Sequence, residues 1–244
     1  MNDQVVYEET PLLVFISNDA LFSAVDTVLS KAKNAIKSER DFYKNSVDPF
    51  SALFDAATAE ITIDAWVKLE KGRQRQKTLQ NAIGEFHEEI LGSVANWERL
   101  PVGHLIDVIS KGKKVISEVK NKHNTTKGSD KKEIYNNLKY ALSTPEYKDF
   151  TAYYVEVIPK SAKTYNKPFT PSDNRTKTKM PENPNIRIID GKSFYELVTG
   201  DKLALDKLYK VLPRVIADIL SKPSITDYSG EELFHTLFTK AFYR

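Results

Sequence analysis

The sequence contains no cysteine, which excludes a disulfide framework and any metal site built on thiolates. Histidine is scarce, and the spacing of its residues does not match the ligand patterns of zinc sites. No apolar run approaches the ~18 residues that a membrane-spanning helix needs. These absences argue against a zinc enzyme and against a membrane protein. The histidines are His87, His104, His123 and His235.

The composition is that of an ordinary globular protein. The 244 residues are 41% hydrophobic and 28% charged, which suffices for the core of one α/β domain. The first residues, Met-Asn-Asp-Gln, lack the basic region of a signal peptide. We therefore expect a cytoplasmic protein with a single domain.

The net charge of +3 hides an asymmetry between the two parts of the chain. Residues 1–100 carry 11 Lys and Arg against 16 Asp and Glu, whereas residues 101–244 carry 25 against 17. Basic residues are densest in 111–139, with nine Lys against three acids, and in 160–192, with eight Lys and Arg against three. This distribution favours a polyanionic partner such as nucleic acid. The alternative is the solvated surface of ordinary helices and loops.

The order of predicted elements indicates the fold class. The first hundred residues are mainly helical, with Asp48-Pro49 typical of a helix start and a helical period in 62–93. Asp130 and Glu133 form a capping-box pattern at the start of a later helix. The sequence predicts an α/β (α+β) fold with one mixed β-sheet flanked by helices. The remaining predicted elements are strands at 105–109, 115–120, 150–158 and 186–191 and helices at about 192–199, 201–222 and 230–241.

Residues 102–122 are the most informative stretch, because they predict a β-hairpin that carries charged side chains. Asp107 lies in an apolar run, Lys111-Gly112-Lys113 supplies the turn, and an apolar strand returns with Glu118 and Lys120. Side chains alternate along a strand, so Glu118 and Lys120 share a face that the hairpin brings beside Asp107.

Two carboxylates and one ammonium in an apolar element suit Mg²⁺-assisted hydrolysis of a phosphodiester. Mg²⁺ prefers oxygen ligands, usually one or two carboxylates completed by water and substrate phosphate. Asp107 and Glu118 would supply the carboxylates, and the backbone carbonyl of Val119 would add a ligand. Lys120 would orient or help deprotonate the attacking water and stabilise the charged phosphate oxygens.

An ordinary surface ion pair is the alternative for this motif. The pattern of an acid, any residue and then Lys occurs four times in the chain, and three copies fall at a helix start, after a proline and at a turn. Only the pair Glu118 and Lys120 lies inside an apolar strand. Burying acids there costs several kcal/mol unless a cation or hydrogen bonds compensate, which favours the metal site.

The spacing of Asp107, Glu118 and Lys120 resembles the active site of the PD-(D/E)xK nuclease superfamily. Residues 117–128, Ser-Glu-Val-Lys-Asn-Lys-His-Asn-Thr-Thr-Lys-Gly, are similar to type II restriction endonucleases that cut GGNCC-type sites, the AvaII/SinI-like group. Blocks within 73–87 and 188–195 resemble the same group, so the resemblance covers roughly residues 60 to 240. Ile106 replaces the proline of the superfamily motif, at a position that shapes the backbone rather than binding metal.

The resemblance implies a restriction-endonuclease-like core and sequence-specific, Mg²⁺-dependent cleavage of double-stranded DNA. It also implies a homodimer and a partner DNA methyltransferase that protects host DNA at the same site. Many enzymes of this superfamily place an acid on the first core helix near the metal, and Glu85 is the candidate here. A solvated glutamate is the alternative, because Glu85 lies well off the apolar stripe of its predicted helix.

Two segments are predicted to contact DNA, namely the loop after the hairpin and residues 159–190. Asn, Arg, Lys and Thr address base edges in the major groove, and Arg favours guanine. Contact with phosphate, without reading of bases, is the alternative for each lysine. The predicted DNA-binding residues are Lys122, His123, Asn124, Thr125, Thr126, Lys127, Asn166, Asn174, Arg175, Lys177 and Arg187.

We predict a single nuclease domain over residues 1–244. It would comprise a mainly helical N-terminal part (1–100), a catalytic hairpin, helix and strand (101–158), a DNA-recognition loop (159–190) and C-terminal helices (191–244). Two other functions remain open: a repair or junction-resolving nuclease of the same fold with little sequence preference, and a DNA-binding module without catalysis.

Overall fold

A computed structural model describes residues 10–35, 39–44, 46–101, 103–173, 176, 178–222 and 231–243. The strands are β1 (Glu98–Arg99), β2 (Val108–Ser110), β3 (Val115–Lys122), β4 (Thr151–Ile158), β5 (Asn166–Pro168) and β6 (Ile186–Asp190). The helices are α1 (Asn18–Asn34), α2 (Glu39–Tyr43), α3 (Pro49–Thr58), α4 (Ile63–Gly92), α5 (Gly128–Ser143), α6 (Gly191–Thr199), α7 (Ala204–Leu220) and α8 (Glu231–Phe242).

The strands form one six-stranded mixed sheet in the order β1-β2-β3-β4-β6-β5. Strands β2 and β3 pair as an antiparallel hairpin, whereas β3, β4 and β6 run parallel to one another. The carboxyl ends of these three central strands therefore meet at one edge of the sheet, which is where open α/β sheets bind their ligands. The short strands β1 and β5 pair antiparallel at the two sides.

Helices cover both faces of the sheet. On one face Val119 and Val155 pack into a core shared with α1, α4, α6 and α7. On the other face Ile116, Tyr154 and Ile186 pack against apolar residues of α5. This architecture confirms the predicted fold class and agrees with a restriction-endonuclease-like core.

The helix starts follow from local capping. Asp48 accepts hydrogen bonds from two backbone N–H groups of the first turn of α3, and Pro49 occupies that turn, as predicted. Thr62 caps α4, whose 30 residues match the predicted segment 62–93. The predicted start of α5 at Asp130 is wrong, because the carbonyl of Lys127 already accepts from the N–H groups of Asp130 and Lys131. The helix therefore begins at Gly128.

The hairpin is confirmed, with a first strand shorter than the sequence predicts. Strand β2 has three residues, and Val108 pairs with Ser117 while Ile109 pairs with Ile116. Asp107 lies just before β2, but its N–H still donates to the carbonyl of Ser117 at 2.8 Å. The side chain of Asp107 is thus fixed at the open end of the hairpin.

The segment 159–190, predicted as a recognition loop, contains regular structure. Strand β5 pairs with β6, and Phe169 is buried in the core beneath it. Asn174, Arg175 and Lys177 lie outside the described residues. None of the helices within the described ranges combines the length and apolar character needed to cross a membrane.

A buried histidine gives the fold a pH dependence. His87 of α4 has its Nδ1 atom 2.8 Å from the hydroxyl of Tyr195 on α6. Burial lowers the pKa of His87 from 6.5 to about 4, so the unfolded chain binds a proton at a higher pH than the native state. We therefore expect this group to lower the free energy of unfolding by roughly 3 kcal/mol as the pH falls from about 6.5 to 4.

Urea unfolding across this pH range measures the loss. The variant His87→Gln carries no titrating group there, so its stability should depend less steeply on pH than that of the wild type. Equal slopes for the two proteins would show that His87 does not remain neutral in the native state.

Candidate active site

The structure brings Asp107, Glu118 and Lys120 together. The Nζ atom of Lys120 lies 2.6 Å from Oε1 of Glu118 and 4.0 Å from Oδ2 of Asp107. The exposed fraction of the side chain is 31% for Lys120, 17% for Glu118 and 22% for Asp107. The group is therefore not an ordinary solvated ion pair. A compact group of two acids and one base therefore lies beside the carboxyl end of β3.

The alternation of strand β3 explains the arrangement. Glu118 and Lys120 point to one face, while Val119 between them is buried in the core of the other face. The N–H of Val119 donates to Oδ2 of Asp107 at 2.7 Å. Because the N–H and C=O of a strand residue point to the same side, the carbonyl of Val119 also faces the gap beside Asp107.

Burial and charge set the pKa values of the group. Burial raises the pKa of Asp107 against the opposing effects of Lys120 and the Val119 N–H. Burial and then the charge of Asp107 raise the pKa of Glu118. Burial alone would lower the pKa of Lys120, but Glu118 and Asp107 raise it. Burial thus disfavours the ionised form of both carboxylates, and a divalent cation between them would favour it.

The donor set fits a hard divalent metal. It has only two carboxylates, and within the described residues no group of three Asp, Glu, His or Cys side chains is arranged to hold an ion. Two carboxylates and one backbone carbonyl suit Mg²⁺, which keeps waters and takes substrate phosphate oxygens to complete its octahedron. Asp107, Glu118 and the carbonyl of Val119 are the groups that would hold it.

Glu88 on α4 is a further acid near this site. Its side chain is 16% exposed, and burial and the charge of Asp107 raise its pKa. Arg99 of β1 opposes that effect, since its Nε and one terminal nitrogen lie 3.2 and 3.0 Å from Oε2 of Glu88. The absence of a side chain at Gly92 lets β1 pack closely against the end of α4, because a Cβ atom there would lie 2.5 Å from the backbone nitrogen of Arg99.

Glu85, the sequence-based candidate on this helix, points elsewhere. Its Oε2 lies 2.5 Å from Nζ of Lys31 on α1 and 3.9 Å from Arg99. It lines a cleft of about 190 Å³ between α1 and α4. The role assigned to Glu85 stays a prediction, and Glu88 is a second acid of α4 whose pKa the charge of Asp107 raises.

The predicted DNA-contacting loop follows directly from β3. Lys122 ends the strand, the N–H of His123 donates to the carbonyl of Ile158, and Thr125 donates to the carbonyl of Lys122. Asn124 and Lys127 are exposed, and Thr126 is half-buried. Chain connectivity thus brings this loop next to Lys120.

The two described candidates for base reading pair with each other. Arg187 donates to the side-chain oxygen of Asn166 at 2.6 Å and to its backbone oxygen at 2.8 Å. This contact joins β5 to β6. The guanidinium of Arg187 thus donates hydrogen bonds to Asn166 in the structure.

The sequence reasoning does not identify two acids of this region, Glu88 and Glu156, and the reason is the same for both. Glu88 lies away from the buried stripe of α4 by helical angle, and its burial comes with Arg99, which follows in the chain after the helix. Glu156 is buried in β4 because Lys131 and Tyr165 reach it from other elements. No period or spacing in the sequence signals contacts of this kind.

Comparison with known proteins gives consistent matches. The family model described as Eco47II restriction endonuclease matches residues 13–221. The type II restriction enzyme Eco47II of Escherichia coli is 44% identical over 214 residues, which cover 86% of this chain and 89% of the relative. The type II restriction enzyme Sau96I of Staphylococcus aureus is 30% identical over 236 residues, which cover 94% and 89% of the two chains.

Proposed function

Because the chain belongs to the Eco47II family of type II restriction endonucleases, we propose that Asp107, Glu118 and Lys120 form its Mg²⁺-dependent active site. The enzyme is a site-specific deoxyribonuclease, and type II restriction endonucleases generally use divalent metal ions. The observation that carries the proposal is the convergence of the three side chains, with Lys120 at 2.6 Å from Glu118 and 4.0 Å from Asp107. An aspartate, a glutamate and a lysine are also the residue types of a PD-(D/E)xK site.

Each residue has a separate role in the proposed mechanism. Asp107, Glu118 and the carbonyl of Val119 would hold Mg²⁺, which would supply positive charge to the phosphate and make a nearby water more acidic. Lys120 orients the attacking water and stabilises the charge on the phosphate oxygens. Water attacks phosphorus and gives up a proton to solvent, while the bond from phosphorus to one bridging oxygen breaks and that oxygen takes up a proton from solvent to leave as a hydroxyl.

The DNA-facing surface is proposed to consist of the loop at 122–127 and the segment 159–190. Both are basic, and they flank the carboxyl ends of β3 and β4. We propose a short G/C-rich, GGNCC-like recognition site, on the resemblance of residues 117–128. A homodimer would address the two strands with one active site each, and a methyltransferase with the same specificity would protect host DNA.

Digestion of a sequenced plasmid with the purified protein and Mg²⁺ tests this function. We expect discrete fragments whose mapped ends share one short G/C-rich sequence, and no cleavage when EDTA removes the metal. A smear would instead favour a nuclease of low specificity. Binding of DNA without cleavage at any sequence would favour the non-catalytic DNA-binding module.

Paired substitutions on α4 test which acid serves the site. We expect Glu88→Gln to lower the cleavage rate by about tenfold or more, because Glu88 and Asp107 interact electrostatically. Glu85→Gln is the matched control, because Glu85 pairs with Lys31 of α1, and it should change the rate by less than about twofold. Single-turnover cleavage measures both. The reverse order of effects would restore Glu85 as the helix acid of the site.

A further inference from the structure

A row of charged residues crosses the sheet next to the proposed active site. Lys120 of β3 pairs in register with Glu156 of β4, and Glu156 pairs in register with Asp190 of β6. Residues paired in register on parallel strands point to the same face. Glu156 therefore lies one strand away from Lys120, at the carboxyl ends of the parallel strands.

Glu156 is a buried carboxylate with a donor on each oxygen. It is 4% exposed, and its Oε1 accepts from Nζ of Lys131 at 2.6 Å. Its Oε2 accepts from the hydroxyl of Tyr165 at 2.7 Å. Lys131 lies in the first turn of α5, and Tyr165 lies just before β5. One carboxylate thus joins the central sheet to the start of α5, which follows the loop at 122–127, and to the segment 159–190.

The link continues to β6. The backbone N–H of Tyr165 donates to Oδ2 of Asp190 at 2.6 Å, and Asp190 also caps α6 through Ser193. Tyr165 is therefore held at two points by neighbouring strands. A second ion pair, Lys132 with Asp173 at 2.5 Å, joins α5 to the same segment.

A carboxylate buried in this way is costly unless its partners are fixed. Its charge needs both hydrogen bonds, and removing one partner leaves a buried charge that is poorly compensated. Replacing a buried ion pair with apolar residues often leaves stability unchanged or improved, so stability alone gives no reason for such a group. What the group does provide is one defined arrangement of the elements that it joins.

We propose that Glu156 is a positioning residue, which holds the start of α5 and the segment 159–190 at fixed places beside Lys120 and thereby sets the discrimination between DNA sequences. The inference rests on the proposed function, because it requires a nuclease that reads sequence. Both oxygens of Glu156 are occupied by protein donors, so it acts through other residues rather than on the metal or the phosphate. A shift of these segments would affect correct and altered sites unequally.

Two variants test the inference. Glu156→Gln removes the charge, and Tyr165→Phe removes only the hydroxyl that ties the segment to Glu156. The substrates are DNA duplexes with the mapped cleavage site and duplexes with one base pair changed. We expect the ratio of kcat/KM between the two substrates to fall by about tenfold in Glu156→Gln and by a smaller factor in Tyr165→Phe.

Tyr195→Phe is the matched control. It also removes one buried hydroxyl, which lies 2.8 Å from Nδ1 of His87. This hydroxyl is on the face of the sheet opposite to Glu156. It should lower thermal stability without changing the discrimination ratio. An unchanged ratio in both Glu156→Gln and Tyr165→Phe would overturn the inference and leave the proposed function intact. Failure of the wild type to cut at any defined site would overturn both.

Discussion

Replacing Lys120 with alanine is expected to lower the single-turnover cleavage rate by about a hundredfold to a thousandfold, because its ammonium is proposed to stabilise the phosphate oxygens in the transition state. DNA affinity remains nearly unchanged, since many basic residues outside the site contribute to it. The prediction follows from the distances that join Lys120 to Glu118 and Asp107. Cleavage of a labelled duplex with Mg²⁺, together with binding of the same duplex with Ca²⁺, measures the two quantities separately.

Lys111→Ala is the matched control for this experiment. Lys111 lies in the exposed turn of the same hairpin, so its removal takes away one positive charge without disturbing the buried group. We expect its cleavage rate to stay close to that of the wild type. Retention of cleavage by Lys120→Ala, or an equal loss in Lys111→Ala, would remove Lys120 from the mechanism.

Replacing Asp107 with asparagine has an effect of similar size for a different reason. The variant loses the negative charge of a proposed metal ligand. A loss of several kcal/mol of transition-state stabilisation corresponds to a rate lower by about a hundredfold to a thousandfold. The asparagine oxygen still accepts from the N–H of Val119, so the fold should be retained. Isothermal titration with Mg²⁺ should show weaker binding, and Glu118→Gln should give the same pattern.

Asp149→Asn is the control for the loss of an acid. Its side chain is 64% exposed, and its partner Lys114 lies at 3.9 Å. We expect unchanged metal binding and cleavage. Normal Mg²⁺ affinity in Asp107→Asn and Glu118→Gln would show that the two carboxylates do not hold the metal.

The sequence predicts those parts of the fold that depend on local patterns. Helix α4 follows from its apolar period, and α3 follows from Asp48-Pro49. The hairpin follows from two apolar runs around a glycine-containing turn. Strands β1 and β5 were not predicted, because strands of two or three residues carry no period and exist only through pairing with distant segments.

The same distinction applies to the site. Asp107, Glu118 and Lys120 are close in sequence, so strand alternation and one tight turn were enough to bring them together. Glu88 and Glu156 reach the region through helix packing and parallel pairing across many residues. The pairing of Arg187 with Asn166 likewise joins segments that are distant in sequence, and the contact of Arg187 with DNA stays a prediction.

The position of the metal tests the central claim most directly. Crystals of the protein with its mapped DNA duplex and Mn²⁺ in place of Mg²⁺ would locate the ion by anomalous scattering. We predict a peak between the carboxylates of Asp107 and Glu118, next to the carbonyl of Val119 and a phosphate oxygen, with Lys120 beside that phosphate. A peak at other residues, with Asp107 and Glu118 still paired only with Lys120, would contradict the account.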